Sequence, residues 1–323
     1  MIKQKISQNN HEKQQLYKTK TMRFIFFGSS EFAKIILNKL FDSGMKPVLV
    51  VTVSSPTPVY DLTKQNNIPV LTPEKLEDKE FLSNFKDYNP DLVILTAYGK
   101  IIPSKLLSIP KKGILNLHPS LLPSWRGATP IQSTILAGDN ETGVSLFLMD
   151  EEIDHGPIIQ NIVYSVQNTR ITYSELSKEL AELGAELIIE TVPKWLKGEI
   201  NAVPQNHSLA SYCHKILPED EKINWEKSSI EIDRKVRALN PKPGVFTMAD
   251  DIVIKITKGY SVDDLEQTIR LRSGQVFQFE NKLAVKCGKG TYVIEELRPA
   301  GKNTMNSESF LRGNKWILDK IFK

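Results

Sequence analysis

Short apolar runs alternate with helical stretches in the first third of this 323-residue chain. The runs cover residues 23–28, 47–53 and 91–97, and charged segments of helical character separate them. Runs of this length, closed by glycine or polar residues, are typical of buried parallel strands. Strands that alternate with helices favour βαβ units. We therefore predict an α/β fold with a Rossmann-like, mostly parallel sheet and helices on both faces.

Gly28 closes the first run, where a dinucleotide-binding fold would carry three glycines in the spacing G-x-G-x-x-G. Residues 28–33 read GSSEFA, so two of those glycines are missing. A bound NAD or FAD is therefore not expected. Ser29 and Ser30 can instead cap a helix that we predict over residues 31–41.

The second half of the chain predicts a smaller, separate domain. A long helix is predicted over 172–197, where leucines at helical spacing indicate core packing. A helix from 228 to 239 and several short alternating runs then predict a C-terminal, OB-like β-barrel. These runs lie at 252–256, 274–279, 282–287 and 291–297.

These patterns divide the chain into four segments. We predict a disordered basic extension over 1–21, a catalytic domain over 22–203, an irregular polar linker over 204–220 and a barrel domain over 221–323. In the extension, five lysines lie among glutamines and asparagines, with Glu12 the only acid. Because no apolar segment follows these charges, they do not form a secretory signal.

Composition narrows the range of functions. The net charge of +4 and the pI near 8.8 permit an RNA partner without requiring one. Cys213 and Cys287 are far apart and lack a CxxC neighbour. We therefore expect neither a disulfide framework nor a metal site, and a reducing cytoplasm fits this cysteine usage.

No apolar run approaches the ~20 residues that cross a bilayer, so no membrane partner is expected.

The segment 116–127, NLHPSLLPSWRG, carries the clearest chemical signal. If the apolar run before it is a strand, Asn116 and His118 project from one face at the carboxyl end, where α/β sheets bind ligands. An amide and an imidazole there suit acyl chemistry, because they can hold an oxyanion and steer protons. The alternative is a polar pair that only caps the strand. Against it, Pro119 and Pro123 stiffen the loop that follows.

A second candidate lies in the acidic segment 149–156, MDEEIDHG. Gly156 permits a tight backbone turn just after Asp154. A carboxylate brought beside His118 would orient the imidazole and favour its charged form. We therefore predict Asp154 as the third catalytic residue, whereas Asp150 is expected to cap the local turn. The alternative for the whole segment is a solvated acidic turn.

Several motifs together resemble the folate-dependent formyltransferases. NLHPSLLP at 116–123 and DHG at 154–156 are similar to the motifs of that superfamily. ALNPKP at 238–243 and LRPAGK at 297–302 lie beyond the predicted linker. These C-terminal matches make the chain resemble the methionyl-tRNA formyltransferases more narrowly, since relatives that act on small amines carry different appendages.

This resemblance implies transfer of a formyl group from 10-formyltetrahydrofolate to the α-amino group of methionyl initiator tRNA, for translation initiation and without a metal. Asn116 and His118 would hold the oxyanion, while Asp154 would stabilise charged His118 and help remove the amine proton. Tyr98 and Gly99 would help wall the pteridine, although ordinary packing is an equal alternative for Tyr98. The loop expected to contact the folate consists of Ser120, Leu121, Leu122 and Pro123.

The chain departs from this family after its second predicted strand. The tRNA enzymes usually carry a long, basic, glycine-rich loop there, but residues 54–59 read SSPTPV, with no basic residue before Lys64. Recognition of the tRNA end is therefore expected to rest on other surfaces.

Arg126 either pairs with a carboxylate to hold its loop or faces RNA phosphate. A candidate C-terminal track for RNA consists of Lys215, Lys222, Lys235, Lys242 and Lys302.

Two other functions stay open on the sequence. A formyltransferase that acts on an amino sugar or another small amine would not need the missing loop. A non-catalytic RNA-binding protein could keep the fold after losing activity, but the intact Asn116, His118 and Asp154 speak against it. A monomer is expected.

Overall fold

The computed structural model describes residues 22–168 and 170–323, so the predicted extension over 1–21 lies outside the described residues. The strands of the N-terminal part are β1 (Phe24–Phe27), β2 (Leu49–Val51), β3 (Val70–Leu71), β4 (Leu92–Leu95), β5 (Ile114–His118), β6 (Arg126–Gly127), β7 (Glu141–Leu148), β8 (Ile158–Ser165) and β9 (Tyr212–Cys213). Seven of these described strands form one sheet in the order β3-β2-β1-β4-β5-β7-β8. The strands from β1 to β5 pair in parallel, whereas β7 and β8 are antiparallel additions. The predicted α/β sheet is confirmed.

The helices around this sheet are α1 (Glu31–Asp42), α2 (Pro58–Gln65), α3 (Lys79–Asp87), α4 (Ser104–Leu107), α5 (Pro130–Ala137) and α6 (Tyr173–Lys197). As predicted, Ser30 caps α1, because its side chain accepts a hydrogen bond from the Ala33 N–H. The long helix α6 begins with a capping box between Thr172 and Glu175. Local capping thus explains where both helices begin.

Strand β1 shows that both faces of the sheet are covered. Phe24 and Phe26 pack into one hydrophobic cluster, while Ile25 and Phe27 pack into a second one. Alternate residues of a strand point to opposite faces, and all four side chains are fully buried. A continuous apolar run is therefore required here, in place of an alternating one.

The C-terminal part is a β-barrel with two helices. Its elements are α7 (Ser229–Leu239), β10 (Val245–Ala249), β11 (Ile252–Val262), β12 (Val276–Phe279), β13 (Lys282–Lys286), β14 (Thr291–Pro299), β15 (Met305–Asn306) and α8 (Ser307–Gly313). The antiparallel order is β10-β11-β14-β13-β12, and β15 pairs with β14. The chain end closes the ring, because Lys323 exchanges backbone hydrogen bonds with Met248 in β10 while Phe322 donates to Gly274 beside β12.

The segment predicted as a linker lies against the catalytic part of the molecule. Val203 forms an isolated antiparallel bridge with Ile158 at the start of β8. Ten residues later, β9 pairs in parallel with β6. Short 3-10 turns, His207–Leu209 and Pro218–Glu221, precede and follow β9 along the chain. The domain boundaries themselves stay a prediction.

Helix α7 connects the barrel to the N-terminal part. The Arg234 guanidinium donates to the Ala137 carbonyl at the end of α5, at 2.9 Å. The Arg237 guanidinium donates to the Ile171 carbonyl just before α6, at 2.8 Å. The first of these contacts places a cation at the carboxyl end of a helix, where it stabilises an exposed carbonyl. Within the described residues, no helix combines the length and apolar character that crossing a membrane requires.

Gly143 in β7 lies where no larger side chain fits between β8 and the loop after β5. A Cβ atom at Gly143 would overlap the Ile162 carbonyl oxygen and the Leu121 side chain. Gly143→Ala should therefore lower the free energy of unfolding by about 1–3 kcal/mol, the usual cost of overpacking. Thermal unfolding followed by circular dichroism measures this change. Gly313→Ala is the control, since apart from its chain neighbours and its own helix backbone no heavy atom lies within 4 Å of its Cβ position. An unchanged midpoint for Gly143→Ala would contradict this account.

Candidate active site

Two polar side chains lie at the carboxyl end of β5, as the sequence predicted. Asn116 and His118 alternate with the apolar residues of this strand, and both are buried. Leu117 between them packs into the hydrophobic cluster on the other face. The Thr96 hydroxyl, which follows β4, donates to the Leu117 carbonyl at 3.1 Å. Neighbouring strand ends therefore fix the backbone that carries the two side chains.

The Asp154 carboxylate joins this pair. Its Oδ1 atom accepts a hydrogen bond from Asn116 Nδ2 at 3.4 Å, and its Oδ2 atom lies 3.6 Å from His118 Nδ1. Oδ2 also accepts a shorter bond, at 2.8 Å, from the Gly127 N–H. The structure thus brings together the three residues that the sequence predicted as catalytic. What role each one has stays a proposal.

The hydrogen bonds of His118 determine which ring nitrogen carries a proton. His118 Nε2 lies 2.8 Å from the Trp125 carbonyl oxygen, which can only accept, so Nε2 is the donor. Nδ1 faces the Asp154 carboxylate. A proton added to Nδ1 would therefore point to a negative charge.

Two residues of the site have a strained backbone. Trp125 has φ +56° and Asp154 has φ +49°, the left-handed region that non-glycine residues seldom occupy. Trp125 is held on both sides, because its backbone N–H donates to Ser211 Oγ at 2.9 Å and its ring N–H donates to Asp139 at 2.8 Å. Such conformations persist where the surroundings impose them.

The loop predicted to contact folate is fixed from beneath by β7. Ser145 Oγ accepts from the Leu122 N–H at 3.0 Å and donates to the Ser120 carbonyl at 2.7 Å. The Ser120 hydroxyl in turn donates to the Ser124 carbonyl at 2.6 Å. Ser120 and Leu122 are buried, whereas Leu121 and Pro123 are half-buried. A ligand could reach the side chains of the latter two more easily.

The structure places Tyr98 in the core and Gly99 at the surface. The Tyr98 ring is buried and packs edge-on against Phe27, with 5.0 Å between ring centroids. Burial raises the pKa of the Tyr98 hydroxyl, which has no hydrogen-bond partner among the described residues. Gly99 is exposed and has φ +87°. Packing against Phe27 explains why the Tyr98 ring is buried. It does not explain why the hydroxyl is buried without a hydrogen-bond partner in the described residues.

Arg126 holds its own loop and does not reach solvent. The side chain is 1% exposed, so it cannot face RNA phosphate. Its guanidinium donates to Gln205 Oε1 at 2.7 and 3.2 Å, to His207 Nδ1 at 2.8 Å and to the Tyr212 hydroxyl at 3.4 Å. Of the two alternatives left open by the sequence, the structure favours the first, in which Arg126 holds its loop, but its partners in the described part of the chain are an amide, an imidazole and a phenol, and none of them is a carboxylate.

Gln205, His207 and Tyr212 are the site residues that the sequence did not predict. They lie in the polar run predicted as a linker, and no local signal in that run distinguishes them from exposed residues. His207 stacks on His155, with ring centroids 4.0 Å apart and planes 5° from parallel. The His155 ring faces Asp150 at 2.7 Å.

Asp150 also accepts from the Glu152 N–H at 3.0 Å. It therefore caps its own turn, as predicted. Across the described residues, no group of three or more His, Cys, Asp or Glu side chains is placed to hold a metal ion.

Two known domain families match this chain, one in its N-terminal part and one in its C-terminal part. A domain family described as formyl transferase matches residues 22–192, and one described as formyl transferase, C-terminal domain, matches residues 215–315. The chain belongs to the formyl transferase family. Methionyl-tRNA formyltransferase from Methylococcus capsulatus is 35% identical over 303 residues, spanning 91% of this chain and 97% of that protein. The same enzyme from Rickettsia bellii is 36% identical over 312 residues, spanning 93% and 100%.

Because these relatives match nearly the whole chain, the protein is an enzyme of the methionyl-tRNA formyltransferase group. Solved structures share its fold at lower identity. An N-formyltransferase from Helicobacter canadensis, in complex with folinic acid and dTDP-3-aminofucose, superposes with a TM-score of 0.63 at 20% identity, covering 85% of this chain and 99% of its own. HypX from Aquifex aeolicus, in complex with tetrahydrofolic acid, has a TM-score of 0.63 at 18% identity, covering 90% and 47%. At these identities the likeness shows the fold alone.

Both cysteines of the formyl transferase are expected to be unreactive. Cys213 and Cys287 are buried, and burial raises the pKa of both thiols, to about 12 for Cys287. Because the thiolate is the reactive form, iodoacetamide should label the native protein very slowly at mildly alkaline pH. Unfolded protein should take up two labels. Mass spectrometry over time distinguishes the states, and rapid labelling of Cys213 in native protein would contradict the described burial.

Proposed function

We propose that this enzyme transfers a formyl group from 10-formyltetrahydrofolate to the α-amino group of methionyl initiator tRNA. The observation that carries this proposal is the contact of Asp154 with both Asn116 and His118 at the carboxyl end of β5. Support for the acceptor comes from methionyl-tRNA formyltransferases that match nearly the whole chain. Support for the donor comes from two proteins of this fold solved with folinic acid or tetrahydrofolic acid.

The proposed reaction is acyl transfer between two nitrogen atoms. The amine nitrogen attacks the formyl carbon, and the carbonyl π electrons move to the formyl oxygen. When the carbonyl forms again, the bond from the carbon to N10 of the folate breaks and N10 keeps the electron pair. The amine loses one proton and N10 gains one, so charge is conserved. The protein must therefore stabilise an oxyanion and carry a proton.

Asn116 and His118 are the proposed oxyanion donors. The bond from Asn116 to Asp154 is long, at 3.4 Å, so the Asn116 amide can exchange it for a stronger bond to an oxyanion. His118 would supply the second donor by exchanging the Trp125 carbonyl for the formyl oxygen. Asp154 would stabilise the charged imidazole and take part in removing the amine proton.

The loop after β5 is the proposed folate contact. Ser120 and Leu122 are buried, so they would act through the backbone that Ser145 holds in place. Leu121 and Pro123 would offer apolar surface to the flat pteridine ring. Gly99 would contribute exposed backbone at the neighbouring strand end, next in sequence to the buried Tyr98.

A groove on the barrel is the proposed contact for tRNA phosphates. Lys255 and Arg298 lie opposite each other on β11 and β14, and exposed Lys302 lines the same groove. Basic side chains along a groove attract a polyanion. Lys235, which the sequence included in the track, is less suited, because its ammonium group donates to the Lys222 carbonyl at 2.7 Å. The catalytic domain over 22–203 and the barrel over 221–323 would then act together as a cytoplasmic monomer.

A small amine, such as an amino sugar, is the second candidate acceptor. The observation that favours it is the short connection between β2 and α2, which leaves room for six residues only, 52–57. A fold neighbour solved with an amino sugar nucleotide shows that the fold admits such an acceptor in that protein. Assays with methionyl-tRNA and with dTDP-linked amino sugars, each with 10-formyltetrahydrofolate, separate the two candidates.

Loss of the Asn116 amide tests the chemical step. Asn116→Ala should lower kcat by about 10²–10³, the usual cost of losing one preorganised oxyanion donor. Single-turnover formylation of methionyl-tRNA at saturating substrates measures it. Asn66→Ala provides the control, since Asn66 is an exposed residue at the end of α2 whose side-chain amide donates to the Leu62 carbonyl of the same helix. Near-normal turnover by Asn116→Ala would exclude the proposed role.

Removing groove charges tests the RNA interaction. Replacing Arg298 and Lys302 by alanine should weaken tRNA binding and reduce the slope of log affinity against log salt by about 0.7–0.9 for each phosphate that the groove no longer neutralises. The affinity for folate should not change. Replacing Lys34 and Lys39 on α1 by alanine serves as a control for net charge, because that variant also loses two positive charges, on a helix outside the barrel. An unchanged salt slope in the variant without Arg298 and Lys302 would place the RNA elsewhere.

A further inference from the structure

The segment that joins the two domains also crosses the candidate active site. At one end Val203 exchanges two backbone hydrogen bonds with Ile158, at 2.7 and 2.8 Å. At the other end, the Ser211 carbonyl accepts from the Arg126 N–H at 2.8 Å. Gln205 lies between these anchors and is 6% exposed. A buried glutamine in an otherwise polar, exposed run requires a specific set of partners.

The Gln205 amide uses both of its ends. Its Oε1 atom accepts two hydrogen bonds from the Arg126 guanidinium, at 2.7 and 3.2 Å. Its Nε2 atom donates to the carbonyl oxygens of Asp154, at 2.9 Å, and Gly156, at 2.7 Å. A guanidinium only donates and a carbonyl only accepts, so the amide cannot be flipped without breaking all four bonds. The orientation of Gln205 is therefore fixed by its partners.

These contacts close a ring around the reacting edge of the site. Arg126 is bonded covalently to Gly127, whose N–H holds the Asp154 carboxylate at 2.8 Å. The backbone of Asp154 is held by Gln205, and Gln205 is held by Arg126. The Asp154 carboxylate and the Asp154 backbone are thus fixed from the same loop. This double attachment explains how a non-glycine residue keeps φ +49°.

We propose that Gln205 is a positioning residue of the formyl-transfer site, which acts through Asp154 and Arg126. The proposal rests on the proposed function for the meaning of the site. Without the two Nε2 bonds, the strained turn at Asp154 can relax and the carboxylate can move away from Asn116 and His118. A displacement of about 1 Å at a catalytic group can cost 10²-fold in rate. In this proposal Gln205 does not contact the substrates, so the loss of rate does not come from weaker substrate binding.

Two variants separate the two ends of the amide. Gln205→Glu keeps an acceptor for Arg126 but places a carboxylate oxygen against the carbonyls of Asp154 and Gly156. Gln205→Met removes both sets of bonds at similar side-chain length. Both should lower kcat by about 10–100-fold, by analogy with the loss of hydrogen-bond partners that orient metal ligands. The KM values for methionyl-tRNA and for 10-formyltetrahydrofolate should stay within about threefold of the wild-type values.

A readout that does not need activity keeps the proposal separate from the proposed function. The Gly127 amide donates to the Asp154 carboxylate, so its proton chemical shift reports where that carboxylate lies. In both Gln205 variants this resonance should shift upfield and exchange faster with solvent. Gln278→Met is the matched control, since Gln278 is exposed and donates to the Glu280 carbonyl at 2.8 Å, far from the site in sequence.

The outcomes are distinguishable. An unmoved Gly127 resonance in both Gln205 variants overturns the positioning role, whatever the activity. Wild-type turnover in both variants, or a loss confined to KM, also overturns it. Absence of formyl transfer by the wild-type enzyme to either class of amine overturns the proposed function, and the Gly127 resonance then decides the positioning role alone. A shifted resonance with a lower kcat supports both.

Discussion

The candidate site depends on a single carboxylate that groups from separate parts of the chain hold in place. Asp154 accepts from the Asn116 amide and from the Gly127 N–H, and it faces the His118 ring. A partly desolvated carboxylate needs such partners, because its charge is costly to bury without them. The same contacts orient the three side chains relative to each other. If the carboxylate moved, Asn116 and His118 would lose the group that contacts both of them and fixes their relative orientation.

The sheet and the loops share the task of building this site. The parallel strands bring Asn116 and His118 to the edge where α/β sheets bind ligands. The antiparallel neighbour β7 then supports the loop after β5 through Ser145, which bonds the backbone at two points. A rigid loop loses little entropy when a ligand binds. Both kinds of element are therefore needed for a preorganised site.

Much of this could be predicted from the sequence because the signals are local. Continuous apolar runs predicted the strands, and the period of two predicted that Asn116 and His118 share a face. Gln205 could not be predicted, since a glutamine in a polar run is usually exposed. The Tyr98 ring could not be assigned either, because an aromatic side chain suits a hydrophobic core as well as an apolar binding surface.

By itself, the sequence determined the α/β sheet, the barrel and the identity of the three clustered polar residues, because strand period, capping and motif residues are encoded over short distances. Only the tertiary structure decided that Arg126 is buried against Gln205 and that segment 203–213 packs over the site. Those contacts join residues about 50 to 80 positions apart. Hydrogen bonds over such separations depend on how complete elements pack, which no local pattern of residues specifies.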